Sequence, residues 1–189
     1  MFNLHLNNAA SYYIIIYMRY FGGIYERKAN ISVPEGELAR QREYAEAVRS
    51  IIEAKYSEPP KAFVHTYGCQ GNVADGERLK GMLADMGYEL VEELEGADLV
   101  LYNTCAIREH AEDRVFGNVG ALKGMKNANR DMRILLCGCM MQQEHVAEKI
   151  RNSYPFVDIV FGTHVIHRLP ELLYNNLSTG KRIYELPES

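Results

Sequence analysis

The sequence has few cysteines, no excess of positive charge and no long apolar run, and each shortage removes a class of protein. Its 4 cysteines among 189 residues are too few for the disulfide framework of a small secreted protein. A secretory signal with a small-residue cleavage site is missing as well, so we expect a reducing, cytoplasmic location. The formal net charge is −4, so the chain lacks the overall basic character of most nucleic-acid-binding proteins. Any contact with RNA must then be local or supplied by another domain.

The most apolar stretch, residues 9–25, is not expected to cross a membrane. Arg19 and a pair of glycines interrupt it, and it falls short of the about 20 residues that a bilayer span needs. We interpret it as a poorly ordered or docked extension, with a signal anchor as the alternative. Met18 is a second possible start of the protein.

A helix is predicted over about residues 35–55. Ser32 and Glu35 have capping-box spacing, Pro34 suits a first turn, and apolar residues follow at helical intervals. Two prolines at 59 and 60 then interrupt the helical pattern. We therefore interpret residues 1–60 as an N-terminal extension and expect a domain over 61–186.

From residue 61 onward, short apolar runs alternate with helical patterns. Strands are predicted at 62–67, 98–103, 133–137 and 158–161, with 181–185 as a candidate fifth. The alternation predicts an α/β fold, a three-layer doubly wound domain with a mostly parallel sheet of four or five strands. The acidic run 89–95 is interpreted as a solubilising surface. Asn72 or Asp75 is expected to cap the helix between the first two strands.

Three of the cysteines follow predicted strands. Cys69 comes after the first strand, Cys105 after the second and Cys139 after the third. In a parallel sheet the carboxyl ends of the strands share one edge, so the three thiols are expected to converge. Each thiol also precedes a helix, whose amino-terminal dipole favours negative charge. Cys137 lies inside its strand and is expected to act as a small buried hydrophobe.

Such a trio of thiols suits a metal centre, although inert or redox-active thiols are the alternative. An iron–sulfur cluster with three cysteine ligands would leave one iron open. A structural zinc site generally needs four ligands, and Cys137 or a nearby histidine would have to complete it.

Other features have simpler interpretations. His65 is expected to be a satisfied core residue, and His164 and His167 form an HxxH pair that lacks a third ligand. A basic stretch is interpreted as a solvated face, and a glycine-containing helical segment, residues 117–124, as a site of close helix packing. The basic stretch comprises Lys123, Lys126, Arg130 and Arg133.

Four strings of the sequence resemble the amino-terminal domain of the radical-SAM methylthiotransferases. They are TYGCQGN (66–72), YNTCAIREHAEDRVFG (102–117), CGCMMQQ (137–143) and FVDIVFGTHVIHRLPELL (156–173). The resemblance covers about residues 61–177, and within the family the second and fourth strings are most similar to a tRNA-modifying branch. The family has Met-Asn after TYGCQ, whereas Gly71 replaces the Met here, a departure that touches none of the implied ligands.

The resemblance implies that Cys69, Cys105 and Cys139 hold an auxiliary [4Fe-4S] cluster. The open iron would carry the sulfur that is installed as a methylthio group at C2 of N6-isopentenyladenosine, position 37 of tRNA. A second [4Fe-4S] cluster on a CxxxCxxC motif would cleave S-adenosylmethionine, but that motif and an RNA-binding domain are absent from this sequence. The resemblance therefore implies a truncated portion of an enzyme, with tRNA as the partner of the full-length protein, no membrane association and a monomer as the favoured state.

Two other functions stay open at this point. The enzyme could act on threonylcarbamoyladenosine in tRNA or on a ribosomal protein instead. The chain could also be a non-catalytic docking module that binds a structural metal.

Overall fold

The computed structural model describes residues 33–68, 70–105 and 111–187, and in them strands alternate with helices. The helices are α1 (Glu35–Lys55), α2 (Gln70–Asp85), α3 (Ala111–Ala128), α4 (Glu144–Ser153) and α5 (Leu169–Thr179). The strands are β1 (Lys61–Thr66), β2 (Glu89–Val91), β3 (Leu99–Thr104), β4 (Arg133–Gly138), β5 (Ile159–Phe161) and β6 (Ile183–Glu185). Short 3₁₀ segments follow β4, at Cys139–Gln142, and β5, at Thr163–Arg168.

The strands form one six-stranded sheet in the order β2-β1-β3-β4-β5-β6, and every neighbouring pair is parallel. This confirms the predicted α/β class. After β1 the chain adds β2 on one side and then β3 to β6 on the other. The switch point thus lies between β1 and β3, where doubly wound sheets bind ligands beyond the carboxyl ends of the strands.

The sheet has one strand more than the sequence indicates. Glu89–Val91, inside the acidic run that we interpreted as surface, pairs with Lys61–Phe63 as β2. The first two of its residues are exposed, so this short edge strand lacks the apolar alternation by which strands are recognised. Backbone pairing, not burial, places it in the sheet.

Two hydrophobic layers cover the sheet, one on each face. The front face packs against α1, α2 and α5, and the back face packs against α3 and α4. Val48 and Ile52 of α1 are buried in the front layer with Leu79 and Leu83 of α2. Residues 36–60, which the sequence analysis assigns to an extension, therefore share a core with the sheet, because the apolar stripe of α1 needs a cover.

The helix boundaries follow the sequence signals only in part. α1 spans the range predicted for it, and Pro170 lies in the first turn of α5. α2 begins at Gln70, so Asn72 and Asp75 lie within the helix and not at its cap as expected. Within the described ranges, none of the helices combines the length and the hydropathy that crossing a membrane requires.

Candidate functional site

The carboxyl ends of β3 and β4 bring two of the predicted cysteines side by side. Thr104 and Gly138 are register partners at the ends of these strands, and Cys105 and Cys139 follow them directly. The Cys139 Sγ lies 3.7 Å from the Thr104 carbonyl oxygen. Cys105 is buried and Cys139 is half-buried. Both residues thus leave neighbouring strands at the same level of the sheet.

Cys69, the third predicted thiol, lies outside the described residues, but its neighbour Gly68 is described. Gly68 has φ +144°, and a Cβ added there would lie 2.4 Å from the Cys105 Cβ. It would also lie 2.9 Å from the Asn72 Oδ1. Only glycine leaves room for this approach. The segment that follows β1 therefore packs directly against Cys105.

Gly138 allows an even closer approach between β4 and β3. Its φ is +110°, and a Cβ there would lie 2.0 Å from the carbonyl oxygen of Thr104. A side chain at this position would thus collide with backbone. The absence of one lets the chain turn at the end of β4 and begin the 3₁₀ segment at Cys139.

A buried amide pair joins the end of β3 to α2. The Asn103 Nδ2 donates to the Asn72 carbonyl oxygen at 2.7 Å, and the Asn72 Nδ2 donates to the Thr104 carbonyl oxygen at 3.1 Å. Both residues are buried, at 5% exposure for Asn72 and none for Asn103. The amides thereby hold the start of α2 against the residue before Cys105.

This amide pair was not predicted from the sequence. The available signal was that each asparagine lies within three residues of a predicted thiol, Asn72 after Cys69 and Asn103 before Cys105. Buried polar side chains require hydrogen-bond partners. A polar residue inside an otherwise apolar strand such as LVLYNT was therefore the clue.

Cys137 is buried in the core, as predicted. Its side chain is inaccessible, and its Sγ lies 3.7 Å from the Asn103 Oδ1. Burial raises the pKa of this thiol well above its usual value, which disfavours the thiolate that metals bind. Cys137 is thus unsuited to be the fourth ligand of a closed zinc site.

The described residues supply thiols at this edge and no complete metal site. Within 33–68, 70–105 and 111–187, no three His, Cys, Asp or Glu side chains are grouped as metal ligands. Cys105 and Cys139 are both free of disulfides. Met140 and Met141 follow Cys139 and are fully buried in the back layer. Two thiols are the kind of donor that a soft metal centre prefers, and Cys69, the third predicted thiol, lies outside the described part.

One of the three histidines considered above does not lie where the sequence predicts. His65 is exposed and not a core residue, whereas Phe63 and Tyr67 on the same face of β1 pack partly against the back layer. His164 is exposed, and His167 is half-buried, with its pKa lowered by that burial. Both lie on the 3₁₀ segment after β5.

Two further interpretations need correction. Lys126 of the basic stretch is not simply solvated, because its Nζ contacts both carboxylate oxygens of Asp158 at 2.8 and 3.0 Å. Gly117 and Gly124 do not mark close packing, since a Cβ at either position would meet nothing within 4 Å.

Comparison with known proteins gives one family match. The model of a family described as "Uncharacterized protein family UPF0004" matches residues 61–162. The match begins at β1 and ends just beyond β5, so it includes Cys69, Cys105 and Cys139.

Curated relatives carry a more specific name, tRNA-2-methylthio-N(6)-dimethylallyladenosine synthase. One from Clostridioides difficile (strain 630) is 40% identical over 163 residues, which are 85% of this chain and 34% of the relative. One from Caldicellulosiruptor saccharolyticus is 45% identical over 153 residues, 81% of this chain and 32% of the relative. One from Clostridium tetani is 51% identical over 124 residues, 66% of this chain and 27% of the relative. The chain thus spans about a third of the length of these relatives.

Proposed function

Since this chain belongs to the UPF0004 family, we propose that it is the cluster-binding amino-terminal part of a tRNA methylthiotransferase. Cys69, Cys105 and Cys139 are the proposed ligands of an auxiliary [4Fe-4S] cluster, within a domain over 61–186. The observation that carries the proposal is the register of β3 and β4, which aligns Thr104 with Gly138 and so brings the next residues, Cys105 and Cys139, to one edge.

Several contacts around the proposed ligands support it. Gly68, the residue before Cys69, lies against Cys105. Asn72 and Asn103 hold the start of α2 to the end of β3, and the Thr104 hydroxyl donates a hydrogen bond to the Cys137 carbonyl oxygen at 2.6 Å. These contacts fix the backbone on either side of the proposed ligands, and Met140 and Met141, which follow Cys139, are fully buried.

A cluster held by three cysteines supplies an iron without a protein ligand, where an exchangeable sulfur species can be held. The proposed product is a methylthio group at C2 of N6-isopentenyladenosine at position 37 of tRNA, in the cytoplasm. The name of these relatives supports this substrate class. In this proposal, S-adenosylmethionine and a second [4Fe-4S] cluster would be bound by a further part of the enzyme, since this chain matches only about a third of the length of the relatives.

Anaerobic reconstitution of the chain with iron and sulfide tests the ligand set. The wild-type chain should bind about four irons with matching sulfide and the absorbance of a [4Fe-4S] cluster. Replacing any one of Cys69, Cys105 or Cys139 with alanine should abolish this absorbance. Cys137→Ala is the matched control and should retain it, because the Cys137 thiol is buried in the core.

Two results would contradict the proposal. Equal loss of iron in all four cysteine variants would show that Cys137 is a ligand or that the variants do not fold, and circular dichroism would distinguish these. One equivalent of zinc without sulfide would favour the docking module instead.

The substrate is tested separately in cells that lack the full-length gene. Nucleosides from their tRNA should contain N6-isopentenyladenosine without its 2-methylthio group. Loss of a different modification would redirect the proposal to threonylcarbamoyladenosine or to a ribosomal protein.

A further inference from the structure

One side of the back face of the sheet lies beyond its helices. Six strands about 4.8 Å apart make a sheet about 24 Å wide, whereas two helices cover about 20 Å. α3 and α4 pack over β3, β4 and β5, and β2 is only three residues long. The second half of β1 therefore pairs with β3 on one side only, and among the described residues no strand lies on its other side.

Aromatic rings occupy this uncovered position. Phe63, His65 and Tyr67 alternate along β1 and its end, so their side chains lie on the back face. Phe63 and Tyr67 are half-buried against the core, whereas His65 is exposed. We call these three residues the aromatic patch.

The rings of the aromatic patch contact one another. The His65 ring centroid lies 6.2 Å from that of Phe63, at an interplanar angle of 9°, and 4.4 Å from that of Tyr67. Beside them Tyr102 of β3, the register partner of His65, is buried and lies 5.4 Å from Tyr67. The patch is thus a group of rings in mutual contact, of which His65 is the exposed member.

Polar groups at its border suit a nucleic acid. The Tyr67 hydroxyl accepts a hydrogen bond of 2.6 Å from the Asn118 Nδ2. The exposed Arg114 lies close enough to Tyr67 to lower its pKa, although burial raises that pKa more. A guanidinium beside an aromatic surface can pair with a phosphate while a base stacks.

The patch is also placed close to the proposed site. Tyr67 is followed directly by Gly68, which packs against Cys105. The Tyr67 backbone N–H donates to the Asn103 carbonyl oxygen at 2.8 Å, which ties Tyr67 to the same strand end. A base on the patch would therefore lie next to the edge that carries the thiols.

We propose that the aromatic patch binds an unpaired RNA base by stacking on His65, an inference that rests on the proposed function. Its occupant is an unpaired base of the tRNA loop. A protein partner is disfavoured because the patch is small, flat and bordered by Arg114 and Asn118, without the large apolar area that protein interfaces bury.

Binding of a fluorescein-labelled RNA hairpin with unpaired loop adenines, followed by anisotropy, tests the inference on the 189-residue chain. His65→Ala should weaken binding about tenfold, whereas His65→Phe, which retains a stacking ring, should stay within about twofold of wild type. His145→Ala is the matched control, because His145 is an exposed histidine on α4 with no aromatic ring contact among the described residues. It should leave binding unchanged.

A second hairpin with abasic loop positions isolates the stacking contact. The effect of His65→Ala should disappear with this RNA, because no base remains to stack. Equal affinity of wild type and His65→Ala for the adenine hairpin would overturn the inference, as would a wild-type chain that does not bind it. Iron loading of the same samples reports on the proposed function independently, so the two can fail separately.

Discussion

The two ends of the strands are held by different kinds of contact, and we call them the amino-end edge and the carboxyl-end edge of the sheet. At the amino-end edge, carboxylates satisfy the starts of neighbouring strands. Asp98 accepts the Lys61 backbone N–H at 2.9 Å, and Asp158 accepts that of Ile134 at 2.8 Å while it pairs with Lys126. At the carboxyl-end edge between β1 and β4, the contacts are between amides, a hydroxyl, thiols and glycine backbone.

This difference in contacts suggests that the amino-end edge serves stability and that the carboxyl-end edge serves the proposed chemistry. Paired charges hold strand starts in place, but beside a proposed metal centre a carboxylate would compete with the thiolates for the metal, and a cation would compete with the metal for the thiolates. Glycines and amides hold the carboxyl ends close together without adding charge, beside the free thiols of Cys105 and Cys139. We therefore expect substitutions at the amino-end edge to lower stability alone and substitutions at the carboxyl-end edge to lower iron loading as well.

Gly138→Ala should have the largest effect, because the new Cβ would collide with backbone of β3. Strain at φ +110° and the 2.0 Å contact with Thr104 together should cost about 3 kcal/mol or more of unfolding free energy. Urea denaturation measures the loss, and iron loading of the folded fraction should fall as well.

Gly124→Ala is the matched control within α3. A Cβ there meets nothing within 4 Å, and alanine favours the helix. The control should therefore gain about 0.5–1 kcal/mol. A loss at Gly138 no larger than 1 kcal/mol would show that the carboxyl-end edge is not closely packed.

Asp158→Ala tests the amino-end edge. It leaves the Lys126 ammonium and the Ile134 N–H without their carboxylate, in a site where both paired side chains are only about 15% exposed. The unfolding free energy should fall by about 3 kcal/mol, while iron loading per folded chain stays unchanged.

Asp131→Ala provides the comparison for this loss. Its pair with Lys55 has a similar distance, 2.8 Å, but the side chains are 41% and 61% exposed. Its loss should stay below about 0.5 kcal/mol. Losses of equal size would mean that burial of the Asp158 pair adds nothing to stability.

Most of the fold could be predicted from local patterns. Buried runs such as Ile134-Leu135-Leu136 and the alternation with helices predict a parallel sheet, and it has one. β2 was missed because backbone pairing with β1 leaves no apolar signature in three mostly exposed residues. The exposure of His65 was missed because it depends on how far two helices extend across the sheet.

The part of the candidate site that lies at the ends of the strands could be predicted from the sequence. The position of Cys105 and Cys139 after paired strands follows from topology alone, and so does the burial of Cys137 inside β4. The polar Asn103 inside an apolar strand gave a signal, but its pairing with Asn72 was not predictable, because it joins residues 31 apart through a three-dimensional contact. That Cys69 completes the site stays a prediction.

Thr104→Val measures the weaker contacts of the carboxyl-end edge. It removes the hydroxyl that donates to the Cys137 carbonyl oxygen at 2.6 Å but keeps the shape of the side chain. The loss should be about 1 kcal/mol in urea denaturation. Thr163→Val, whose hydroxyl donates to an exposed Gln142, should cost less than half of that. A reversed order would contradict the role of Thr104 in holding the two strand ends.

Glu171→Gln should have the smallest effect on stability. The ion pair of Glu171 with Arg168 is a place where the carboxyl-end edge does carry charge. Arg168 contacts both Glu171 carboxylate oxygens, at 2.9 and 3.2 Å, and Gln41 of α1 donates to one of them at 3.0 Å. The hydrogen bond from Arg168 is the main reason that the pKa of Glu171 is lowered, against the effect of burial.

A lowered pKa in the folded state means that Glu171 stabilises the protein above the pKa of the unfolded chain, about 4.3, and loses this effect as the pH falls through and below it. The stability difference between wild type and Glu171→Gln should thus be below about 1 kcal/mol at pH 7 and shrink toward pH 3. Urea midpoints of both proteins at the two pH values measure this difference. The contributions of the other carboxyl groups cancel in the comparison, because these groups titrate in both proteins. A difference that stays constant with pH would mean that the Arg168 pair contributes through shape and not through charge, unlike the Lys126–Asp158 pair at the opposite edge.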